Sequence, residues 1–297
     1  MTLRPDTAAV LSKGGLDPAE VEQMVARALN EDLDGGVDVT SVATIPFDHE
    51  GVADFVAREP GIVAGLPVVL AVLEVVSDDS AVLDFDTADG EAVVAGQRLM
   101  SGRALTRSLL TAERTALNIL CHLSGIATVT RRWVDEVEGT GARILDTRKT
   151  TPGLRSLEKY AVRCGGGTNK RMGLYDAALV KDNHVLAAGG VAAAFRAVRQ
   201  LFPDVDVQVE CDTVDQVAEA LEAGATFLLL DNMAVDQLRE AVALTAGRAQ
   251  LEATGGLTLD RARAVAETGV DYLSVGALTH SAPVLDIGVD LRASGEG

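Results

Sequence analysis

The 297-residue chain has only three cysteines, Cys121, Cys164 and Cys211, widely spaced and odd in number. That excludes a disulfide framework and a four-cysteine zinc site, and it fits a reducing cytoplasm. Long apolar runs are also missing. The longest, Ile62 to Leu73, is about twelve residues and contains Pro67, which is too short to span a bilayer. Met1 to Asp6 lead into no apolar signal core, so no export segment is expected. Cations are outnumbered: 26 Lys+Arg stand against 44 Asp+Glu, a net charge of −18. A general nucleic-acid binder needs a positive surface to meet phosphate, so that class is excluded. The four histidines, His49, His122, His184 and His280, lack metal-ligand spacing. Gly-x-Gly-x-x-Gly, Gly-x-x-x-x-Gly-Lys-Ser/Thr and Gly-x-Ser-x-Gly signatures are all missing. The cysteines and Trp133 read as packing residues.

Hydrophobic residues at 47% and charged residues at 24% are the balance of a globular protein, not a disordered one. The length suits one large α/β barrel, or a barrel with a smaller partner. Against the acidic total, one window reverses sign. From Arg148 to Lys181 there are eight cations, Arg148, Lys149, Arg155, Lys159, Arg163, Lys170, Arg171 and Lys181, opposed only by Glu158 and Asp176. The run is interleaved with Gly165-Gly166-Gly167 and ends on an apolar, strand-like stretch. A small basic pocket for an anionic ligand is therefore expected, inside an acidic shell.

Residues 1–16, with Gly14-Gly15, read as a poorly ordered tail. Asp17-Pro18-Ala19-Glu20 reads as a helix start leading into Val21 to Leu29. Strand-like runs follow at Val52 to Ala57, Ile62 to Val63 and Ala81 to Asp86, with helical stretches at Val68 to Val76 and Leu105 to Leu120. This first part reads as a mixed α and β domain.

From about residue 142, strand and helix alternate. Strands are expected at 143–147, 178–182, 205–212, 226–231, 250–254 and 272–275. Helices are expected at 157–163, 191–201, 214–223, 235–245 and 259–268. One helix between each pair implies parallel strands with right-handed crossovers, a barrel-like parallel sheet of six units.

Each strand ends on polar residues: Asp146-Thr147-Arg148-Lys149, Lys181-Asp182-Asn183-His184, Glu210-Cys211-Asp212, Asp231-Asn232, Glu252-Ala253-Thr254-Gly255-Gly256 and Ser274-Val275-Gly276-Ala277. In parallel barrels catalytic residues gather at such ends. Arginines clamp carboxylates and lysines act as mobile point charges, so Arg148, Lys149, Lys170, Arg171 and Lys181 suit an anionic ligand. Glu210 and Asp231 can hold ribose hydroxyls, bind Mg²⁺ through its water, or stabilise positive charge developing on a sugar. The small-residue turns on the last two strands sit where backbone N–H groups commonly cradle a phosphate.

The runs Glu113-Arg114-Thr115-Ala116-Leu117-Asn118, Leu123-Ser124-Gly125-Ile126-Ala127-Thr128 and 146–155 strongly resemble the quinolinate phosphoribosyltransferase family. Glu158-Lys159-Tyr160-Ala161-Val162-Arg163, Gly165-Gly166-Gly167, Lys181-Asp182-Asn183-His184, Leu230-Asp231-Asn232-Met233 and 274–281 extend the match over nearly the whole chain after about residue 20. The resemblance implies an N-terminal open α/β sandwich (1–126) and a six-stranded α/β barrel (127–282). A C-terminal segment (283–297) would pack back on the first domain. It further implies a cytoplasmic homodimer that joins quinolinate to phosphoribosyl pyrophosphate with Mg²⁺, releasing nicotinate mononucleotide, pyrophosphate and CO₂, in de novo NAD synthesis. By the same resemblance Lys149, Glu210 and Asp231 are catalytic, the last two facing the ribose and its metal through water. Arg148, Lys170, Arg171 and Lys181 would bind quinolinate, together with Arg114 from the neighbouring subunit. Thr254-Gly255-Gly256 and Ser274-Val275-Gly276-Ala277 would hold the 5-phosphate.

There is one departure. The family pattern after the triple glycine reads Asn-His-Arg, and this chain has Asn169-Lys170-Arg171. Lysine keeps a donor and a positive charge but loses a planar ring that titrates near neutrality, so Lys170 is expected to be a lasting cation for a quinolinate carboxylate. Other readings share the scaffold: a transferase specific for nicotinate, a related protein of molybdenum-transport operons, or a non-catalytic barrel that senses a phosphorylated metabolite.

Overall fold

The computed structural model describes residues 3–77 and 81–293. Three helices come first: α1 (Pro5–Lys13), α2 (Pro18–Leu33) and α3 (Val39–Thr44). The expected loose tail over 1–16 is corrected by α1. Leu11 is fully buried, and the Arg4 amide and Thr7 hydroxyl both donate to the Glu74 carboxylate, so this segment has an apolar and a polar anchor; residues 1 and 2 lie outside the described residues. Asp17 caps α2 by accepting the Ala19 amide at 2.9 Å, with Pro18 in the first turn, where its missing N–H costs nothing. Next come β1 (Glu50–Ala57), β2 (Gly61–Ile62), α4 (Leu66–Ser77), β3 (Val82–Phe85), β4 (Ala92–Val93), β5 (Arg98–Leu105) and the 31-residue α5 (Thr106–Glu136).

The alternating half follows: β6 (Arg143–Leu145), α6 (Arg155–Cys164), β7 (Ala177–Val180), α7 (Asp182–Ala188), α8 (Val191–Leu201), β8 (Asp206–Cys211), α9 (Val214–Glu222) and β9 (Phe227–Asp231). Then come α10 (Val235–Thr245), β10 (Gln250–Thr254), α11 (Leu259–Ala266), β11 (Tyr272–Ser274), α12 (Ala277–His280) and β12 (Ile287–Ala293). Among the described residues no helix is long and apolar enough to cross a membrane.

Contacts divide the chain into two compact units. The first gathers residues up to Val129, Ser156–Gly166 and the chain from Ala282; the second gathers Thr130–Arg155 and Gly167–Ser281. The expected boundaries made 127–282 one contiguous piece, whereas most of α6 clusters with the first unit.

In the first unit an antiparallel sheet runs β12-β1-β5-β3. The last strand, β12, pairs over its whole length with β1, from Gly51↔Ala293 to Ala57↔Ile287. Ahead of it the chain crosses α5 at Gly125, where an added Cβ would stand 2.1 Å from the Pro283 carbonyl oxygen, so only glycine permits the crossing. Inside this unit Glu158 and Lys159 of α6 are fully buried, and Glu158 meets His122 Nε2 at 2.9 Å. The Tyr160 hydroxyl donates to Asp89 at 2.6 Å.

The second unit is a six-stranded parallel sheet in the order β6-β11-β10-β9-β8-β7. Beside β6 the Thr168 amide donates to Ile144 O at 2.8 Å and Thr168 O accepts the Asp146 amide at 3.2 Å, so a loop residue takes up that strand edge. Successive side chains on a strand face opposite ways. Val209, Leu228, Leu230, Leu251, Ala253 and Leu273 form the buried apolar face. Their neighbours Gln208, Glu210, Asp231, Glu252, Thr254 and Ser274 line cavities on the other.

Candidate active site

The carboxyl ends of the six strands surround a cavity of about 740 Å³, built entirely from the second unit. After β6 come Thr147, Arg148 and Lys149. The Lys149 amide donates to Thr147 Oγ1 at 3.0 Å and the Thr279 hydroxyl donates to Lys149 O at 2.7 Å, which pins the backbone that carries these cations. The loop beside β6 sends in Lys170 and Arg171; Lys181 directly follows β7, β8 brings Glu210 and β9 brings Asp231. The turns after β10 and β11 supply Thr254, Gly255, Gly256, Ser274, Val275, Gly276 and Ala277. Every site residue expected from the sequence lines this one cavity except Arg114, which lies on α5.

Three of the eight cations in the basic window are engaged elsewhere. Arg155 donates to Thr150 Oγ1 and Met172 O, both at 3.0 Å, and Lys159 is buried in α6. Arg163 donates to Gly14 O at 2.6 Å and lies over the Tyr160 ring. The remaining five face the cavity. Arg148 Nε is buried without a hydrogen-bond partner among the described residues. Arg171 donates to Ala177 O at 2.7 Å; burial and the nearby Arg148 charge depress its pKa. Cations crowded together without enough anions are held ready for an anionic ligand.

Lys170 lines the cavity and is also paired within the protein. Its ammonium lies 2.6 Å from Glu252 Oε1, which also accepts the Ser274 hydroxyl, and its charge is thereby committed to a protein carboxylate. The Lys170 side chain is 9% exposed and that of Glu252 0%. Burial pushes the Lys170 pKa below the usual lysine range, Glu252 opposes that push, and Arg171 and Lys181 add to it. Lys181 reaches Glu210 at 3.4 Å. Burial raises the Glu210 pKa, Lys181 lowers it, and the neighbouring Asp231 raises it again.

The turn geometry depends on three residues, Asn232, Gly255 and Gly256. Asn232 has a φ of 54° and donates through Nδ2 to Asp231 Oδ2 at 2.8 Å, orienting that carboxylate. Its backbone amide donates to Thr254 O at 2.9 Å, drawing the ends of β9 and β10 together beside Gly255 and Gly256, whose φ values are 86° and 58°. Glu252, Asn232 and His280 also line the cavity and were not among the expected site residues. Glu252 could have been found by periodicity: it precedes Thr254 by two and therefore shares its face. The cysteines stay out of the site. Burial pushes Cys164 and Cys211 up to about 12, so neither thiol is a nucleophile at neutral pH.

The family model for the quinolinate phosphoribosyl transferase C-terminal domain matches residues 126–290, and that for the N-terminal domain matches residues 38–124. The chain is 51% identical over 271 residues to the nicotinate-nucleotide pyrophosphorylase [carboxylating] of Mycobacterium leprae, covering 90% of this chain and 95% of that protein. It is 39% identical to the probable nicotinate-nucleotide pyrophosphorylase [carboxylating] of Bacillus subtilis, covering 93% and 95% of the two chains. Among solved structures, NadC from Streptococcus pyogenes superposes with a TM-score of 0.90 at 36% identity, over 94% of this chain and 99% of that one. The nicotinate-nucleotide pyrophosphorylase from Francisella tularensis superposes with a TM-score of 0.87 at 35% identity, over 92% and 96%.

Proposed function

The chain belongs to the quinolinate phosphoribosyltransferase family, and on that premise we propose that it joins quinolinate to phosphoribosyl pyrophosphate with loss of CO₂, giving nicotinate mononucleotide and pyrophosphate for de novo NAD synthesis. One observation carries this reading: a single cavity combines five cationic side chains, three carboxylates on the adjacent strands β8, β9 and β10, and two small-residue turns. A pyridine dicarboxylate is a dianion and the pyrophosphate donor is more negative, so both substrates meet the charge they need.

The steps follow from position and charge. Arg148, Arg171 and Lys181 hold the carboxylates of quinolinate, while the Gly255-Gly256 and Gly276 turns cradle the 5-phosphate through backbone N–H groups. With the two substrates fixed, the ring nitrogen attacks the anomeric carbon as pyrophosphate leaves toward Lys149. Glu210 and Asp231 face the positive charge that develops on the ribose. Once the ring nitrogen is alkylated it is cationic, and the adjacent carboxylate departs as CO₂, leaving its electron pair beside that charge. Positioning and electrostatics suffice, so no protein nucleophile is required.

Mg²⁺ fits the donor set. Among the described residues no three His, Cys, Asp or Glu side chains group as a metal cage. Magnesium, however, is commonly held by one or two carboxylates together with water and substrate phosphate. Glu210 and Asp231 would be those carboxylates, and the ion would neutralise pyrophosphate oxygens. Arg114 lies outside the cavity-lining set, and we assign it to the site of a second copy in a homodimer. Three free cysteines and soluble substrates fit a cytoplasmic setting.

The test offers quinolinate and nicotinate separately, each with phosphoribosyl pyrophosphate and Mg²⁺. Nicotinate mononucleotide formed from quinolinate alone supports the reading. Product from nicotinate instead would support a transferase specific for the monocarboxylate, and no product from either would favour a binding protein.

A further inference from the structure

The reaction leaves one chemical task unassigned. When the 2-carboxylate departs, its C–C bond breaks with both electrons left on ring carbon 2, and that carbon must gain a proton. The geometry points to Lys170 as the catalytic acid that delivers it, through the ammonium held between Glu252 and the active-site cavity. The assignment rests on the functional reading above.

Four observations support it. Lys170 is enclosed, whereas the other two lysines of the cavity, Lys149 and Lys181, are exposed; an enclosed acid delivers its proton to a bound intermediate in the absence of bulk water. Its ammonium has three N–H bonds, and Glu252 Oε1 accepts one at 2.6 Å. Glu252 holds the amine in place with help from the Ser274 hydroxyl, while Glu252 Oε2 is buried with no hydrogen-bond partner among the described residues. A buried carboxylate short of hydrogen bonds is the more basic for it, so Glu252 holds the ammonium in place until the carbanion, a far stronger base, takes the proton. Burial also makes the ammonium a stronger acid than an exposed lysine, whereas a guanidinium is as a class far too basic to donate.

The fourth observation is a second cavity. One of about 460 Å³ lies at the opposite ends of the strands, lined by Gln208, Phe227, Gln250 and Tyr272, and Lys170 lines both cavities. Asp176, Asp206 and Gln250 at its rim are exposed, so it meets solvent. Lys170 therefore has one side toward the substrate and another toward water. The step balances. The carbon's electron pair takes a proton from Nζ, the N–H electrons remain on nitrogen, and the neutral amine takes a proton from water entering by the lower cavity. The turnover consumes one solvent proton.

Three variants test the assignment, each checked for fold by circular dichroism. Lys170→Arg keeps the positive charge but is too weak an acid, so kcat should fall about 10²-fold or more, with the dissociation constant for quinolinate within about threefold of wild type. Lys170→Met should lose kcat to a similar degree. Glu252→Gln keeps the lysine but removes the charge that raises its pKa. The groups around Lys170 are Glu252 and Ser274, Arg171 beside it, Asp146 on its backbone amide, Arg148, Lys149, Lys181, Glu210, Asp231 and His280 in the same cavity, and Asp176 and Asp206 in the lower one. A donor must be protonated, so kcat falls as pH rises through its pKa, and Glu252→Gln should move that fall to lower pH. Full kcat in Lys170→Arg, a change confined to KM in Lys170→Met, or an unmoved alkaline limb in Glu252→Gln would overturn the assignment. Wild-type CO₂ release in the same assay keeps the two claims separate: without it the functional reading fails, and with it only the proton donor is at issue.

Discussion

A Cβ added at Gly255 would stand 2.3 Å from Asn232 Oδ1 and 2.9 Å from the Asn232 backbone nitrogen. The two residues fit against each other only because one has no side chain, and both hold positive φ. Gly255→Ala adds a clash to a left-handed conformation that costs an L-residue roughly 1–3 kcal/mol. Chemical denaturation should show a loss of that order. The KM for phosphoribosyl pyrophosphate should rise while quinolinate affinity is retained, because the displaced turn belongs to the phosphate end.

Arg148→Ala should weaken quinolinate binding. The guanidinium has a buried Nε with no partner among the described residues, so a substrate carboxylate is the natural acceptor. A charge-assisted contact is worth roughly 1.5–3 kcal/mol, about tenfold to 150-fold in affinity. Calorimetric titration of quinolinate into both proteins checks this, and an unchanged dissociation constant removes Arg148 from the carboxylate site.

Arg114 should act in trans. Mixing inactive Arg114→Ala and Lys149→Ala proteins under conditions of subunit exchange should restore activity, since a mixed dimer contains one site with both residues intact. Exchange demonstrated by mass spectrometry without recovered turnover would place Arg114 outside catalysis.

Glu210 sets the acid limb. Its stabilising role needs the carboxylate, and burial raises its pKa while Lys181 lowers it. Activity should therefore fall with decreasing pH at a point above the ordinary range of glutamate. Lys181→Gln removes the opposing charge, so the limb should move to still higher pH. The profile of kcat/KM for phosphoribosyl pyrophosphate measures it, and a limb unaffected by Lys181→Gln would break the coupling.

Where an element is set by its own spacing of apolar residues, the sequence was enough: the ranges expected for α8, α10 and β10 are those observed. Elements that depend on distant partners were not legible. Helix α1 is anchored by Glu74 on another helix, β5 carries Arg98 and Arg103 among its apolar positions, and α5 continues through Ser124-Gly125, which local propensity treats as a break. The site was legible for a different reason. Parallel strands bring their carboxyl ends together whatever the loops do, so polar strand ends converge. The Lys170–Glu252 pair was not legible, because the loop bearing Lys170 reaches β10 across 82 positions of sequence.

The most direct measurement follows the carbon that leaves. Quinolinate labelled in its 2-carboxylate, incubated with phosphoribosyl pyrophosphate, Mg²⁺ and the protein, should release its label as CO₂ in equal amount to the nicotinate mononucleotide formed. Retention of that label in the product, or no nucleotide at all, would contradict the account.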